Sequence, residues 1–286
     1  MKTSAQTSAP TSGSGPDSLL PSGPQSLLQT LPRIGPQTAL FLDFDGTLAD
    51  LAEQPEAVQV SQDLIPALTQ LAARLNGALA IVSGRKLADL DHFLAPLQLT
   101  TAAEHGAQHR LASGEVVKLA TPDLQEVARL STALAQRHTG LRVEIKSAAV
   151  ALHYRHAPEL EALALQVMTE AASSTPQVEL LCGKYVFEVK PAGISKGSAI
   201  EAFMTAPPFA GRIPLFAGDD LTDEAGFSAV QRLGGHGIKV GEGATLAHYR
   251  CETPAALRQW LQTTGHEQVL TPASNERDNP TERINT

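Results

Sequence analysis

The chain has 286 residues, 42% of them hydrophobic, so it can bury a real core as one large domain or two modest ones. Its net charge is −8 without a basic block, which argues against nucleic acid as a partner. No apolar run reaches membrane-spanning length, and Cys182 and Cys251 are not in metal-ligand spacing, so a cytoplasmic compartment is the expectation.

Residues 1–37 are rich in Ser, Thr, Pro and Gly and too poor in apolar side chains to order themselves. They read as a disordered tail in which Leu27-Leu28-Gln29-Thr30-Leu31 is a candidate docking helix. One Lys and no apolar core segment near Met1 do not make a secretion signal. The run Ala39-Leu40-Phe41-Leu42 then reads as a buried parallel strand. It ends in Asp43-Phe44-Asp45-Gly46-Thr47, where an open α/β sheet gathers its chemistry. Extended residues two apart share a side, so Asp43 and Asp45 are expected to converge and Gly46 to turn the chain away. Two like charges buried together call for a cation or a shared proton. An ordinary Asx-turn explains the same Asp-Gly pair equally well on this segment alone.

Leu64 to Leu75 carries Leu64, Leu68, Leu71 and Leu75 at helical spacing and leads to the strand Leu79-Ala80-Ile81-Val82. That is a βαβ unit and hence a parallel sheet. The second strand ends in Ser83-Gly84-Arg85, either a phosphate seat or a cap on the next helix, Leu87 to Leu97. Between 108 and 192 the pattern changes. Val143–Lys146, Ala149–Arg155 and Tyr185–Val189 alternate as strands with one polar face, and Leu124–Arg137 and Glu159–Ala172 read as helices. This is an α+β insert where a lid would sit. Lys196 follows at a helix start, where a cation opposes the macrodipole and calls for an anionic partner, although taken alone it reads more readily as a solvated surface Lys. Ile213-Pro214-Leu215-Phe216-Ala217-Gly218 is a further strand, closing on Asp219, Asp220, Asp223 and Glu224, which a solvated helix start would also explain. Strand ends presenting carboxylates suit one Mg²⁺ shared with waters and a phosphate. Gly237–Gly241 reads as a late strand, and the chain from about Gly265 as a second flexible tail.

Taken in order, Asp43-Phe44-Asp45-Gly46-Thr47, Ser83, Lys196 and Gly218-Asp219-Asp220 with Asp223 resemble the haloacid dehalogenase superfamily of phosphotransferases. The resemblance implies that Asp43 is the nucleophile and Asp45 the general acid and base. It implies that Ser83 and Lys196 hold the phosphate and the aspartyl phosphate. Mg²⁺ would be held by Asp43, the Asp45 carbonyl and Asp219, with Gly46, Thr47, Gly84, Arg85, Asp220 and Asp223 in support. The insert narrows the match. Glu104-His105-Gly106-Ala107, Glu144-Ile145-Lys146, His153-Tyr154-Arg155, Gly183-Lys184 and Glu188-Val189-Lys190-Pro191 resemble the trehalose-6-phosphate phosphatases, roughly over 38–262. That family's cap residues fall on Glu144, Lys146, Arg155, Lys184 and Glu188, which would bind the sugar hydroxyls. The same charges also read as surface ion pairs. Gln108 stands where the family often has Glu, and His105 reads as structural.

The expected fold is α/β, with a Rossmann-like parallel-sheet core at 38–107 and 193–264, and an inserted α+β cap at 108–192. Residues 1–37 and 265–286 would be tails. The expected activity is Mg²⁺-dependent hydrolysis of trehalose 6-phosphate. Another sugar phosphate, such as sucrose 6-phosphate or a hexose phosphate, is the enzymatic alternative. A catalytically silent sugar-phosphate sensor is the alternative of another class. The expected partner is a small sugar phosphate, with no nucleic acid and no membrane. A monomer is favoured.

Overall fold

The computed structural model describes residues 31–52 and 54–266. Most of both expected tails, and the docking helix with them, lie outside these residues. From the inner end of the first tail, Ile34 is buried in the main core and Leu31 packs against it.

In chain order the strands begin with β1 (Thr38–Leu42), β2 (Leu79–Val82), β3 (Thr100–Ala103), β4 (Gln108–Arg110) and β5 (Val116–Lys118). Four follow in the inserted region: β6 (Arg142–Ile145), β7 (Val150–His153), β8 (Val178–Gly183) and β9 (Val186–Pro191). The last are β10 (Ile213–Gly218), β11 (His236–Val240) and β12 (Tyr249–Cys251). The helices are α1 (Leu64–Arg74), α2 (Leu87–Leu94), α3 (Gln125–Ala135), α4 (Glu161–Ser173), α5 (Lys196–Met204), α6 (Glu224–Arg232) and α7 (Pro254–His266).

The large sheet runs β12-β11-β10-β1-β2-β3-β4-β5. It is parallel from β12 to β3 and antiparallel through β4 and β5. β1 lies at its centre and every residue of it is buried, as a strand covered on both faces requires. α1, α2, α5, α6 and α7 supply Leu68, Leu71, Leu90, Ile200, Phe203, Phe227, Val230 and Leu257 to the same core. α2 stops at Leu94 rather than Leu97 because Pro96 removes a donor and restricts Ala95.

The small sheet, β6-β7-β9-β8, is antiparallel. One face packs against α3 and α4 through its own core of Val127, Leu134, Leu152, Tyr154, Met168, Phe187 and Val189. The architecture is the expected α/β core with an inserted α+β cap. The hairpin β4–β5 extends the large sheet, and the strands of the small one begin only at Arg142.

The parallel strands bring their carboxyl ends to one edge. Leu42 pairs with Ala217 and Ile81, and Val82 with Ala102. Asp43, Ser83, Glu104 and Asp219 therefore follow β1, β2, β3 and β10 side by side.

Candidate active site

β1 ends at Leu42, so Asp43 and Asp45 lie beyond the extended strand and its two-residue period no longer ties them together. The Asp43 carboxylate faces inward and is buried. Its Oδ1 accepts from Lys196 Nζ at 2.8 Å, and its Oδ2 from Thr47 Oγ1 at 3.3 Å. Asp45 instead takes Arg85 in a two-pronged pair, Nε to Oδ2 and Nη2 to Oδ1, each at 2.7 Å. The two carboxylates, expected to converge, have separate partners. The Arg85 guanidinium also lies 4.8 Å from the Phe93 ring centre and 5.5 Å from that of Phe44.

Lys196 is the first residue of α5, whose start is fixed by reciprocal hydrogen bonds between Ser195 and Ser198. It finds the anionic partners its position demands. Nζ donates to Asp43 and, at 2.7 Å, to Asp223 Oδ1. Burial opposes its charge, but Asp223 and Asp43 outweigh that and hold it well above the usual lysine range. Asp223 Oδ2 accepts the backbone N–H groups of Asp219 and Asp220, each at 3.0 Å. This ties the loop after β10 beneath the lysine. Asp220 turns aside to cap Thr222, accepting from its N at 2.8 Å and its Oγ1 at 2.6 Å. Burial opposes ionisation of Asp220, yet the Lys196 charge and the Thr222 hydroxyl bring it down to about 2.

Asp43, Asp219 and Asp223 each offer a carboxylate oxygen within 4.8 Å of one another. Among the described residues no donor reaches the Asp219 carboxylate. Gly46, at φ +71°, lies against that carboxylate so closely that any Cβ would overlap it. Burial pushes Asp43 up to about 7 against the pull of Lys196, with Asp219 adding to the rise. Burial and the Asp220 charge push Asp219 to about 7 as well. Asp43 and Asp223 share Lys196 while the half-buried Asp219 carboxylate stands beside them without a donor, and hard oxygen donors with uncompensated charge fit a small divalent cation. The carboxylate set includes Asp223, read from the sequence as support. The Asp45 carboxylate is with Arg85.

Ser83 follows β2, and its Oγ accepts from the Arg85 backbone N at 3.2 Å. Gly84 lets His105 pack against it: a Cβ there would fall 2.6 Å from the ring. His105 is buried. Burial, reinforced by the Lys146 and Lys196 charges, pushes its pKa well below the usual histidine range, so the ring is neutral. Its Nε2 is 3.6 Å from Glu188 Oε1.

The cap meets this edge through β6, β9 and the β6–β7 turn. Lys146 Nζ donates to Glu188 Oε2 at 2.7 Å and to the Gly84 carbonyl at 3.3 Å. Burial opposes the lysine's charge, but Glu188 and Glu144 keep its pKa raised. Glu188 Oε1 is buried with no hydrogen-bond partner. Glu144 lies 3.1 Å from His153 Nε2. Lys146 and Glu188 are thus brought to the carboxylate edge. Arg155 and Lys184 are exposed instead, with Arg155 stacked 5.3 Å over Tyr185. Gln108 lies in β4, paired with Lys118 and Ala103.

The sequence reading gave no role to Glu104, which ends β3 in line with Asp43, Ser83 and Asp219. The strand before it, Thr100-Thr101-Ala102-Ala103, has no large apolar side chain, so it carries no strand signal.

The family model for trehalose-phosphatase matches residues 41–253. The chain belongs to the trehalose-phosphatase family. It is 40% identical over 257 residues to the trehalose-6-phosphate phosphatase of Escherichia coli K12, covering 88% of this chain and 94% of that protein. The solved C-terminal domain of C. albicans trehalose-6-phosphate phosphatase superposes with a TM-score of 0.72 at 25% identity, covering 81% of this chain and 92% of that one. A phosphatase of the haloalkanoate (HAD) superfamily from Bacteroides thetaiotaomicron, 20% identical, shares the fold with a TM-score of 0.57 over 83% of this chain and 98% of that one. The protein is therefore an enzyme, a phosphoric monoester hydrolase. Among the described residues no helix is long and apolar enough to cross a membrane.

Proposed function

We propose that this trehalose-phosphatase family member hydrolyses trehalose 6-phosphate to trehalose and phosphate, the final step of trehalose synthesis, in the cytoplasm and as a monomer. One observation carries the reading. Buried Asp43, Lys196 and Asp223 and half-buried Asp219 form a cluster at the strand ends, and the cap-borne Lys146–Glu188 pair sits against the same edge. A phosphate seat beside a paired lysine and carboxylate suits a polyhydroxylated phosphate ester. The unpartnered Glu188 Oε1 is an acceptor for a sugar hydroxyl.

In this reading Asp43 attacks phosphorus, the ester oxygen leaves, and an aspartyl phosphate forms on Asp43. Asp45 gives a proton to the leaving oxygen and later takes one from the attacking water. That requires its carboxylate to exchange Arg85 for substrate. Lys196 and the Ser83 hydroxyl bind the phosphoryl oxygens as charge shifts onto them. Mg²⁺, held by Asp43, Asp219 and the Asp45 carbonyl with Asp223 beside them, would supply positive charge to the phosphoryl oxygens. Gly46, Thr47, Gly84, Arg85 and Asp220 support these groups. Residues 108–192 act as the cap, and 38–107 with 193–264 as the core. Glu144, Lys146 and Glu188 bind sugar hydroxyls, and Arg155 and Lys184 complete the pocket if they turn inward on substrate. A site built from such donors and acceptors discriminates strongly against esters that leave them unpaired.

The test is phosphate release from trehalose 6-phosphate, sucrose 6-phosphate and glucose 6-phosphate with Mg²⁺ present. The expected order puts trehalose 6-phosphate first by at least about tenfold in kcat/KM. A preference for either other ester defeats the substrate assignment, and no turnover of any defeats the catalytic one.

A further inference from the structure

Three consecutive residues after β3 have positive φ: Glu104 at +48°, His105 at +59° and Gly106 at +110°. Only the last is a glycine, and the left-handed region is costly for the other two. The backbone is pinned there by Glu104 N to the Arg85 carbonyl and His105 N to the Ser83 carbonyl, both at 2.9 Å. The outcome is to aim the Glu104 side chain out of the core sheet and into the cap. Its carboxylate is buried, and the β6–β7 turn uses both oxygens. Ser147 Oγ donates to Oε1 at 2.7 Å, and Ala148 N to Oε2 at 2.9 Å. The residue just before this pair in the chain is Lys146, which reaches Glu188 and the Gly84 carbonyl.

We propose that Glu104 is a positioning residue for sugar-phosphate turnover. It latches the β6–β7 turn onto the core and so sets Lys146 and Glu188 over the phosphate site. The inference rests on the trehalose 6-phosphate reading above for its substrate, and on geometry alone for the latch. A carboxylate buried between the two layers is satisfied by the turn only while the cap is down. Lifting the turn strips both donors from it, so closure and the placement of Lys146 are one event. The neutral His105 ring next in the chain fills the gap between Gly84 and Glu188 and adds no competing charge.

The test compares Glu104→Ala, Glu104→Gln and Ser147→Ala in the full chain, on trehalose 6-phosphate and on p-nitrophenyl phosphate, which lacks a sugar. Glu104→Ala is expected to lower kcat/KM on the sugar phosphate by roughly ten- to a hundredfold, mainly through KM, with the aryl ester within about threefold. Glu104→Gln keeps an acceptor for Ala148 N and an amide for Ser147 Oγ, so it should restore most of the activity. Ser147→Ala, a change at an exposed residue that threatens folding least, should move in the same direction by a smaller factor. Hydrogen exchange at the Ala148 amide reads the latch without any substrate: slow in the wild type and in Glu104→Gln, fast in Glu104→Ala. Equal losses on both esters, or unaltered Ala148 exchange in Glu104→Ala, overturns the proposal. Should Glu104→Ala not fold, an absent substrate split in Ser147→Ala overturns it. If the wild type prefers another sugar phosphate, the substrate reading fails. The latch is then decided by Ala148 exchange and by the same comparison on the preferred ester.

Discussion

Lys196 sits between two carboxylates and is the one cation touching both Asp43 and Asp223 among the described residues. Removing either acid's partner in such a buried group is costly, so the charges here stand or fall together. Asp43→Asn keeps the shape and an acceptor for Lys196 but cannot attack phosphorus. Its kcat is expected to fall on the order of a thousandfold or more, with the circular dichroism spectrum unchanged. Measurable turnover above about one per cent, with deamidation excluded by mass spectrometry, would remove Asp43 from its role. Glu144 belongs to a different kind of prediction. Its hydrogen bond to His153, against the cost of burial and aided by Lys146, brings its pKa down to about 2. The folded value lies below the unfolded one, so its contribution is present in full above about pH 4.5 and is lost as pH falls towards 2. Glu144→Gln should therefore flatten the fall of Tm between pH 4.5 and 2, and leave a smaller change near neutrality. An identical acid limb in the two proteins would count against the His153 contact. At this scale Asp43, Ser83, Lys196 and Asp219 were legible because each follows an apolar strand or opens a helix. The Asp45–Arg85 pair was not, because nothing local records which side chain waits across the sheet edge. The place of Glu104 at a strand end was not, although its segment carries the resemblance, because its own strand is built of small and polar residues.

The elements were legible where their period was strong. α1, α3 and α4 begin or end within a few residues of the expected bounds, as do β6, β7 and β9. β8, Val178–Gly183, gave no reading because its Leu180, Leu181 and Cys182 follow no clean alternation. The hairpin β4–β5 follows the change of pattern at 108 yet stays with the large sheet as its antiparallel edge. Its exposed Val116 and Lys118 resemble the half-solvated strands of the insert. The small sheet depends on its own core, not on the large one. Leu152, in β7, is wholly buried there among Val127, Met168 and Phe187. Leu152→Ala should cost about 2–5 kcal/mol in that layer. Urea unfolding followed by hydrogen exchange should show early loss of protection in α3, α4 and β6–β9, with β1, β2 and β10 still protected. Loss of both layers at one denaturant concentration would show that they unfold as a single unit.

At the scale of the molecule, an acidic edge on one layer faces charged side chains on the other. Activity should disappear in excess chelator, by about a hundredfold or more, and return with Mg²⁺. Ca²⁺ should restore it poorly, since it is larger and takes more ligands. Undiminished phosphate release in chelator would sink the metal-assisted reading. Thermal unfolding gives a second readout. The folded values of Asp43 and Asp219, about 7, lie above their unfolded ones. Their contribution is therefore fullest below about pH 4 and drains away as pH rises through 7. A bound cation offsets that loss, so Mg²⁺ should raise Tm more at pH 8 than at pH 5.

The position of β1 has a consequence for how the chain is made. Thr38 pairs with Ile213, so the central strand borders a partner translated long after it, with the whole small sheet in between. A ribosome delivers β1, β2 and β3 early and then spends the intervening time on the inserted layer. Throughout that interval one edge of a largely apolar strand has no neighbour, and an open apolar edge invites pairing with another nascent chain. The insert can collapse around its own apolar cluster in the meantime. The carboxylate edge cannot, because Lys196 and Asp219 follow the insert in the chain. The inserted layer is thus complete before the carboxylate edge is, and the chain's most vulnerable moment falls between the two.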